Sequence, residues 1–572
     1  MSFRYPRDAT PILPLSRTPT TSSFATTSSK TSFRQSQAIL NEKYSLGPSP
    51  QDWGVELWSK DPDDDLHNPL LEDADPTLFT APYPLIVHFT EKRQTNQGGF
   101  NLGGINASGQ LPEITGNFGM IDRDTPKSAY TKPGYTNPNE EMVLVFSDEF
   151  NQDGRTFYPG DDPFWEAVDL HYWGTEDLEW YDPSQARTQG GSLRLTIERV
   201  ADPTQNHNLA YRSGMIQSWN KFCFTGGILE ARVMLPGSSD VSGLWPAVWS
   251  MGNLGRAGFG GSLEGMWPYT YDSCDVGTLP NQAIPGTRTP AAAFTGGDPK
   301  FDGQLSMLPG QKLSACTCAG QDHPGPIRPD GTYVGRAAPE IDVLEAIVDN
   351  GVGHASLSTQ WAPYNAGYIW DNSTENMIIY DAPNTVFNTF IGGAFQQTTS
   401  GLATTNQACY ERSGGCFAVY AFEYKTGFDD GYITWVNDGK LSWTIRGPGL
   451  GPDALSGVNT RPIPQEPMYI IANLGLSLKF GFVDFENLIF PATMSVDYIR
   501  VYQPAGSVNV GCNPKDFPTT DYINRYATIS FKISVVDGVL LNRHMDAYTN
   551  ANFTLWSEVG EPWPKNKLVD QC

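Results

Sequence analysis

Three carboxylates stand in one short apolar stretch of the chain. Residues 339–348 read Pro-Glu-Ile-Asp-Val-Leu-Glu-Ala-Ile-Val, which places the acids at Glu340, Asp342 and Glu345. The aliphatic and β-branched residues around them predict a buried strand. Because an unpaired buried charge is costly, three acids in such a strand indicate a chemical role. Carboxyl groups this close share protons, so one of them is expected to keep its proton near neutral pH.

The spacing of the acids requires an irregularity in the strand. Side chains alternate between faces, so Glu340 and Asp342 share a face from which Glu345 points away. A β-bulge near Val343 and Leu344 would rotate Glu345 back to join the other two acids. A carboxylate and a carboxylic acid in one cleft, about 5–5.5 Å apart, are the groups required for glycoside hydrolysis with retention. The alternative reading is an acid-lined surface strand without catalytic function.

The stretch and its surroundings resemble a known family. The signature is similar to that of glycoside hydrolase family 16, in its bulged form Glu-Ile-Asp-x-x-Glu, and residues 226–233 and 244–249 look like two strands of that family. Further motifs resemble one branch, the fungal β-1,6-glucan synthesis-associated proteins. They lie at residues 146–150, 158–163, 169–175 and 266–272, and at the closing residues 563–566 and 568–572.

The resemblance implies a role for each acid. In the family the first Glu of the signature is the nucleophile and the last is the general acid/base. Glu340 would therefore attack the anomeric carbon and Glu345 would protonate the leaving oxygen, while Asp342 would hydrogen-bond the nucleophile and tune its ionisation. Water or a sugar hydroxyl would then resolve the covalent glycosyl-enzyme. A sugar acceptor gives transglycosylation, which suits the assembly of a polymer.

Several side chains near the signature are predicted to bind substrate. The resemblance implies that at least one of Trp245 and Trp249 lines the glucan cleft, although both would also suit an ordinary core. Asn473 and Gln360 are weaker candidates for hydrogen bonds to sugar hydroxyls, and Trp361 is a further candidate contact. Family hydrolases often carry a His at the place of Gln360, so the residue found here puts hydrolytic competence in question.

Composition favours a neutral polymer as partner. The formal net charge is −25, which argues against nucleic acid because phosphate binding requires a basic surface. Aromatic residues make up 12% of the chain, with 15 Trp and 25 Tyr, which suits stacking on β-glucan and equally suits a large β core. Phosphate-binding and dinucleotide fingerprints are absent, and no cofactor is predicted.

The eight cysteines predict disulfides rather than a metal site. An even count in a Gly- and Pro-rich all-β chain favours disulfide pairing. Cys409 and Cys416 flank a short Gly-containing loop and are placed to pair directly. Cys316 and Cys318 lie near His323, but no second Cys/His pair follows at zinc-finger spacing. We therefore predict no bound metal.

Short strands with Gly- and Pro-rich turns predict an all-β fold, a concanavalin A-like β-jelly-roll sandwich with long loop insertions. The expected strands lie at residues 142–146, 192–198, 227–235, 432–436, 469–474 and 494–502, with a hairpin turn at 437–440. Residues 252–338 form a long insertion, predicted to be an ordered lid or cleft wall.

Four segments are expected along the chain. Residues 1–94 are a disordered Ser/Thr/Pro-rich tail and linker, and residues 95–140 a Gly/Asn-rich lead-in. Residues 141–505 are the family 16-like catalytic domain, and residues 506–572 a C-terminal extension. Within the extension the run 526–543 looks foreign to its surroundings. One hypothesis is an unspliced intron translated in frame, which transcript sequencing across the junction would test.

Localisation is expected in the secretory pathway lumen, the membrane or the cell surface. The family is of type II membrane topology, but at the corresponding place this chain has only residues 78–89, too short for the about 20 apolar residues of a span. Membrane association is thus expected from the family, and a soluble form is the alternative. Three sequons support a lumenal setting and predict N-glycosylation. They lie at Asn106, Asn372 and Asn552.

Two functions follow from these patterns. The first is a retaining β-glucan hydrolase or transglycosidase acting in fungal cell-wall β-1,6-glucan biosynthesis. The alternative is a catalytically weak glucan-binding or assembly factor in the secretory pathway. The complete set of three acids favours the enzyme.

Overall fold

Two large β-sheets packed face to face form the body of the protein. The computed structural model describes residues 119–268, 271–277, 279–308, 313–527, 533–536, 539–542, 547–551 and 563–572. Within this part of the chain one sheet has 12 strands and the other nine, and nearly all neighbouring strands run antiparallel. The protein is thus the all-β jelly-roll sandwich that the sequence predicts.

The strands are numbered in chain order. They are β1 Thr131–Pro133, β2 Glu141–Asp148, β3 Glu166–Ala167, β4 Glu179–Tyr181, β5 Ala186–Thr188, β6 Leu193–Arg199, β7 Tyr211–Ser213, β8 Met215–Gln217, β9 Gly227–Met234, β10 Leu244–Gly252, β11 Glu340–Asp349, β12 Val352–Trp361, β13 Met377–Ile379, β14 Thr385–Phe387, β15 Gly392–Gly393, β16 Gln396–Thr404, β17 Ala418–Lys425, β18 Tyr432–Asn437, β19 Lys440–Arg446, β20 Met468–Leu476, β21 Ala492–Pro504, β22 Ile533–Val536 and β23 Val539–Asn542.

The order of the strands brings the candidate site to the middle of the nine-stranded sheet. That sheet runs β14-β16-β12-β11-β10-β20-β8-β3, with β15 beside β16. The 12-stranded sheet runs β13-β19-β18-β17-β9-β21-β6-β7-β4, with β1, β2 and β5 joined at its side. Strands β22 and β23 form a separate hairpin within the run 526–543.

Helices are short in the described segments. The α-helices are Gly260–Leu263, Ala292–Thr295 and Thr520–Ala527, and the 3-10 helices are Lys127–Ala129, Trp173–Thr175, Pro183–Gln185, Pro203–Gln205, Pro280–Gln282, Pro299–Phe301, Ala366–Tyr368 and Gly447–Leu450. Among them, none has the length and apolarity needed to cross a bilayer.

Local sequence accounts for the strands directly. In β6 the apolar residues Leu193, Leu195 and Ile197 alternate with polar ones and are fully buried, as their period of two predicts. The predicted hairpin joins β18 to β19 through Asp438 and Gly439, which both have positive φ. An Asp-Gly pair tolerates this conformation, and it matches the twist of the two strands.

The core between the sheets fixes the strand that carries the acids. Trp435 and Trp443 stack face to face with ring centres 4.4 Å apart. The indole N–H of Trp435 donates to the carbonyl of Asp342 at 2.8 Å, and that of Trp443 donates to the carbonyl of Leu357 at 3.1 Å. The 12-stranded sheet therefore holds the backbone of β11 and of its neighbour β12.

A second apolar cluster covers part of the outer face of the nine-stranded sheet. The insertion between β10 and β11 contributes Phe259 and Met266 to it, and the C-terminal extension contributes Tyr522 and Tyr548. Beneath them lie residues of β10, including Met251. One end of this face is therefore buried under the insertion and the C-terminal extension, and the role of the insertion as a lid or cleft wall stays a prediction.

All eight cysteines form disulfides. The predicted pair Cys409–Cys416 is confirmed. The other three pairs are Cys223–Cys512, Cys274–Cys316 and Cys318–Cys572. Two of these bonds tie the C-terminal extension to the rest of the protein.

Some predictions concern residues that the structure does not describe. They are the tail and linker at 1–94, the apolar stretch at 78–89, and the sequons at Asn106 and Asn552. The asparagine of the remaining sequon, Asn372, is described by the structure and is exposed. Its glycosylation, the segment boundaries and the intron hypothesis for 526–543 stay predictions.

Candidate active site

The predicted β-bulge is present in β11 and brings the acids together. From Asp342 to Glu345 the chain advances three residues, while its partner β10 advances two, from Trp249 to Ala247. The pairing of β11 with β12 on its other side shows the same register shift, between Ile341 and Glu345. The extra residue turns Glu345 onto the face that already carries Glu340 and Asp342.

Hydrogen bonds connect the acids with one another and with the walls of the site. The hydroxyl of Ser358 on β12 donates to Asp342 Oδ2 at 2.8 Å and lies 3.3 Å from Glu345 Oε2. The indole N–H of Trp245 donates to Glu345 Oε1 at 3.1 Å. The indole N–H of Trp267 donates to Glu340 Oε2 at 2.5 Å. The two outer acids, Glu340 and Glu345, thus each accept a hydrogen bond from one indole N–H.

Burial raises the pKa of all three carboxyls, and repulsion from neighbouring acids adds to the shift at Glu340 and Asp342. Burial is the largest cause in each case, and the charge of Glu345 adds to it at Glu340. Asp342 lies between two other acids and is 1% exposed, so its pKa is raised well above the ordinary carboxyl range. Asp342 therefore keeps its proton near neutral pH, and it hydrogen-bonds Glu340. That contact favours the ionised form of Glu340.

The two candidate tryptophans of β10 occupy different surroundings. Trp245 is partly exposed, contacts Glu345 and stacks on Phe480 with ring centres 4.1 Å apart and planes 2° from parallel. Trp249 is 8% exposed and belongs to the outer apolar cluster. Trp245 is thus the one placed to meet a sugar, and that contact stays a prediction.

The polar candidates lie on the same face as the acids. Gln360 pairs with Glu340 across β11 and β12, and its Oε1 accepts a hydrogen bond from the Thr398 hydroxyl at 2.6 Å. Asn473 accepts from the Trp249 indole at 2.8 Å and donates to the Tyr181 hydroxyl at 3.0 Å. Both the oxygen and the nitrogen of the Asn473 amide are therefore hydrogen-bonded to neighbouring side chains, and the binding of Asn473 to sugar stays a prediction.

The prediction that Trp361 binds substrate is wrong. Its side chain is fully buried in the core between the sheets, and its indole N–H donates to the Thr399 hydroxyl at 3.0 Å. Alternation along β12 explains the error, because Gln360 faces the acids and its neighbour must face the opposite way.

Three residues at the site were not predicted from the sequence. They are Trp267, Ser358 and Tyr172, whose hydroxyl pKa is raised by burial and by the charge of Glu340. Trp267 and Tyr172 belong to the motifs at 266–272 and 169–175, so the motifs pointed to segments that reach the site. Ser358 follows from alternation with Gln360 on a strand that pairs with β11.

The fold and the site together define an all-β jelly-roll protein with a cluster of three acids on the outer face of its nine-stranded sheet. A family model described as "Beta-glucan synthesis-associated protein SKN1/KRE6/Sbg1" matches residues 70–536. The chain belongs to this family.

Individual relatives of the chain also carry names for an association with β-glucan synthesis. Beta-glucan synthesis-associated protein KRE6 of Saccharomyces cerevisiae is 44% identical over 468 residues, which cover 81% of this chain and 58% of KRE6. Beta-glucan synthesis-associated protein SKN1 of Candida albicans is 44% identical over 455 residues, 79% of this chain and 54% of SKN1. The chain thus spans little more than half the length of these relatives.

Among solved structures, the catalytic domain of an endo-1,3-beta-glucanase (laminarinase) from Thermotoga petrophila is similar, with 18% identity and a TM-score of 0.37. The match covers 64% of this chain and 99% of that domain.

Proposed function

We propose that this protein is a retaining β-glucan hydrolase or transglycosidase that acts in fungal cell-wall β-1,6-glucan biosynthesis. The observation that supports the proposal best is the bulged strand β11, which presents Glu340, Asp342 and Glu345 on one face. A bulge that serves only the fold has no reason to gather three buried acids, because their repulsion destabilises the protein.

In the first step Glu340 is the nucleophile. Its carboxylate attacks the anomeric carbon and forms an ester, while the bond from that carbon to the glycosidic oxygen breaks. The proton of the Glu345 carboxyl goes to the departing oxygen. Asp342, protonated, donates a hydrogen bond to Glu340 and limits the repulsion within the cluster.

In the second step the roles reverse. The Glu345 carboxylate takes a proton from water or from a sugar hydroxyl, whose oxygen attacks the anomeric carbon and releases Glu340. Water gives hydrolysis and a sugar gives transglycosylation. The aromatic pair of Trp245 and Phe480 beside Glu345 offers a surface for a sugar acceptor, which favours transglycosylation.

The cellular setting is part of the proposal. The relatives are named for an association with β-glucan synthesis, and four disulfides are typical of proteins in oxidising compartments. We place the protein in the secretory pathway lumen, at the membrane or at the cell surface, with β-glucan as its partner and Asn372 as a glycosylation site.

The experiment that tests the proposal follows product lengths. Purified protein is incubated with β-1,3- and β-1,6-linked glucan oligosaccharides of a single length, and products are separated by chromatography. Shorter products indicate hydrolysis, and longer products together with shorter ones indicate transglycosylation. Glu340→Gln should abolish both, whereas Glu375→Gln, at an exposed position just before edge strand β13 of the other sheet, should behave as the wild type.

The second candidate, a glucan-binding factor with little turnover, is favoured by one observation. Gln360 stands where family hydrolases often carry a His, and its amide is held by Thr398. Unchanged product lengths with the wild type, together with binding of the oligosaccharides measured by calorimetry, would establish that alternative and exclude the enzyme.

A further inference from the structure

We infer that Trp267, carried by the insertion between β10 and β11, is a positioning residue for the nucleophile Glu340. The inference rests on the proposed function in so far as Glu340 is the nucleophile. Its structural basis is the hydrogen bond from the Trp267 indole N–H to Glu340 Oε2, at 2.5 Å. An N–H aimed at one oxygen orients the plane of a carboxylate and stabilises its ionised form.

Glu340 needs such a donor because its burial and the charge of Glu345 both disfavour its ionised form. Asp342 and Glu345 lie on its own strand, and Asp342 hydrogen-bonds it. The charge of Glu340 also reaches the hydroxyls of Tyr469 on β20 and of Tyr172, and it contributes to raising the pKa of both. The two phenols remain neutral because burial raises their pKa. An indole N–H does not titrate, so its hydrogen bond persists at every working pH.

The backbone around Trp267 is tied to the start of the catalytic strand. The Trp267 amide donates to the carbonyl of Leu263 at 2.8 Å, and the carbonyl of Met266 accepts from the amide of Ala338 at 3.2 Å. Ala338 lies two residues before Glu340 in the chain. The donor and the nucleophile are therefore held in register by the two ends of the same insertion.

Contacts farther away hold the insertion itself. Cys274–Cys316 closes a loop within it, and Cys318–Cys572 joins it to the C-terminal extension. The fully buried Arg336 donates to Glu466 at 2.9 Å and to the carbonyl of Pro518 at 2.7 Å. The extension thus contributes to the site by fixing the segment that presents Trp267.

Trp267→Phe is the test variant, since it keeps an aromatic ring and removes the N–H. Trp219→Phe is the matched control. Trp219 packs on the same outer cluster and donates its indole N–H to the carbonyl of Asn253 at 3.1 Å, away from the acids. Trp267→His, which restores a ring N–H, is the rescue variant.

Two readouts are measured on the full chain. The first is the titration of Glu340, followed by NMR of the protein labelled with ¹³C at Glu side-chain carboxyls and assigned by the resonance lost in Glu340→Gln. Trp267→Phe should raise the midpoint by about one pH unit. The second is turnover of glucan oligosaccharides. Trp267→Phe should lower kcat by about 10–100-fold, as expected for a lost hydrogen bond to a charged group, with little change in KM.

The outcomes separate the two claims. The inference would be overturned if Trp267→Phe had the same Glu340 midpoint and the same kcat as the wild type. It would also be overturned if the control Trp219→Phe shifted both quantities as much as Trp267→Phe does. The inference is supported if Trp267→Phe raises the midpoint of the Glu340 titration and Trp267→His brings it partly back toward the wild-type value. Comparison of Trp267→His with the wild type also serves as the test where Trp267→Phe folds poorly. If the wild type turns over no glucan at all, the proposed function fails, and the NMR midpoint still decides whether Trp267 controls the ionisation of Glu340.

Discussion

The two ends of the acid row differ in what surrounds them. At one end, Glu340 lies beside the insertion and the C-terminal extension, and its indole partner Trp267 comes from the insertion. At the other end, Glu345 is contacted by Trp245 of the neighbouring strand, which stacks on Phe480. The loop that carries Phe480 also exposes Phe482, which is 72% accessible.

The difference teaches how one sheet would supply the two chemical roles of the proposed function. Under the proposed function Glu340 is the nucleophile, which must be ionised and fixed, and it lies beside an insertion that long-range contacts anchor. Under the same proposal Glu345 is the acid/base, which must exchange a proton with an entering acceptor, and it lies beside the partly exposed aromatic residue Trp245. A hydrogen bond from an indole N–H to a carboxylate is thus present at both ends of the acid row, at Glu340 beside the anchored insertion and at Glu345 beside Trp245.

The largest expected effect separates the roles of the two outer acids. Glu340→Gln should lower turnover at least about 1,000-fold on every substrate, because the covalent step is lost. Glu345→Ala should lower turnover of glucan by about 100–10,000-fold, but it should lower ester formation from an aryl glycoside with an acidic phenol far less, because that phenol needs no proton to leave. Burst kinetics with the aryl glycoside measure this step. Equal losses in both variants on both substrates would contradict the assigned roles.

Disulfide removal should distinguish the closed end from the rest of the protein. Replacing Cys318 and Cys572 by Ser opens a bond between residues 254 apart and should cost about 3–5 kcal/mol of stability, together with a loss of turnover. Replacing Cys409 and Cys416, only seven apart, should cost about 2 kcal/mol and leave turnover unchanged. Denaturant unfolding and glucan turnover check both statements. If the two pairs affect turnover equally, the extension has no part in building the site.

The acid row should make stability depend on pH in a defined direction. Burial raises the pKa of Glu340 in the folded state above its ordinary value of 4.5, so its contribution to stability is present below that value and is lost as pH rises. Glu340→Gln removes the ionisation and should stabilise the protein by about 1–2 kcal/mol at about pH 8, with no gain at about pH 4. Thermal unfolding of both proteins at the two pH values measures this. A variant less stable than the wild type at the higher pH would contradict the buried, raised carboxyl.

The smallest effect is expected at the open end. Phe480→Ala removes the ring on which Trp245 stacks and should raise the KM for the acceptor sugar by about 2–10-fold, with kcat nearly unchanged, since an aromatic pair contributes about 0.5–1.5 kcal/mol. Transglycosylation at several acceptor concentrations measures the change. A fall in kcat with an unchanged KM would show that Phe480 acts on the acids rather than on the acceptor.

Local patterns in the sequence predict much of the fold. The period of two predicts the buried face of β6, the Asp-Gly turn predicts the hairpin of β18 and β19, and the spacing of the three acids predicts the bulge. Each of these depends on residues close together in the chain. The short disulfide Cys409–Cys416 belongs to the same class.

Contacts between distant residues set the limit of sequence reasoning. Cys223 and Cys512 are 289 residues apart, and no local pattern selects this pairing among the alternatives for eight cysteines. The contact of Trp267 with Glu340 bridges 73 residues of an insertion without periodicity. The error at Trp361 is of another kind, because the alternation that places Gln360 toward the acids already places Trp361 in the core.

The most direct test of the central claim is to trap the covalent intermediate. The protein is incubated with a 2-deoxy-2-fluoro-β-glucosyl fluoride, from which fluoride leaves as the enzyme ester forms, and the labelled peptide is located by mass spectrometry. We predict one added glycosyl group, carried by Glu340. A label on any other residue, or no label from a preparation that cleaves glucan, would contradict the account.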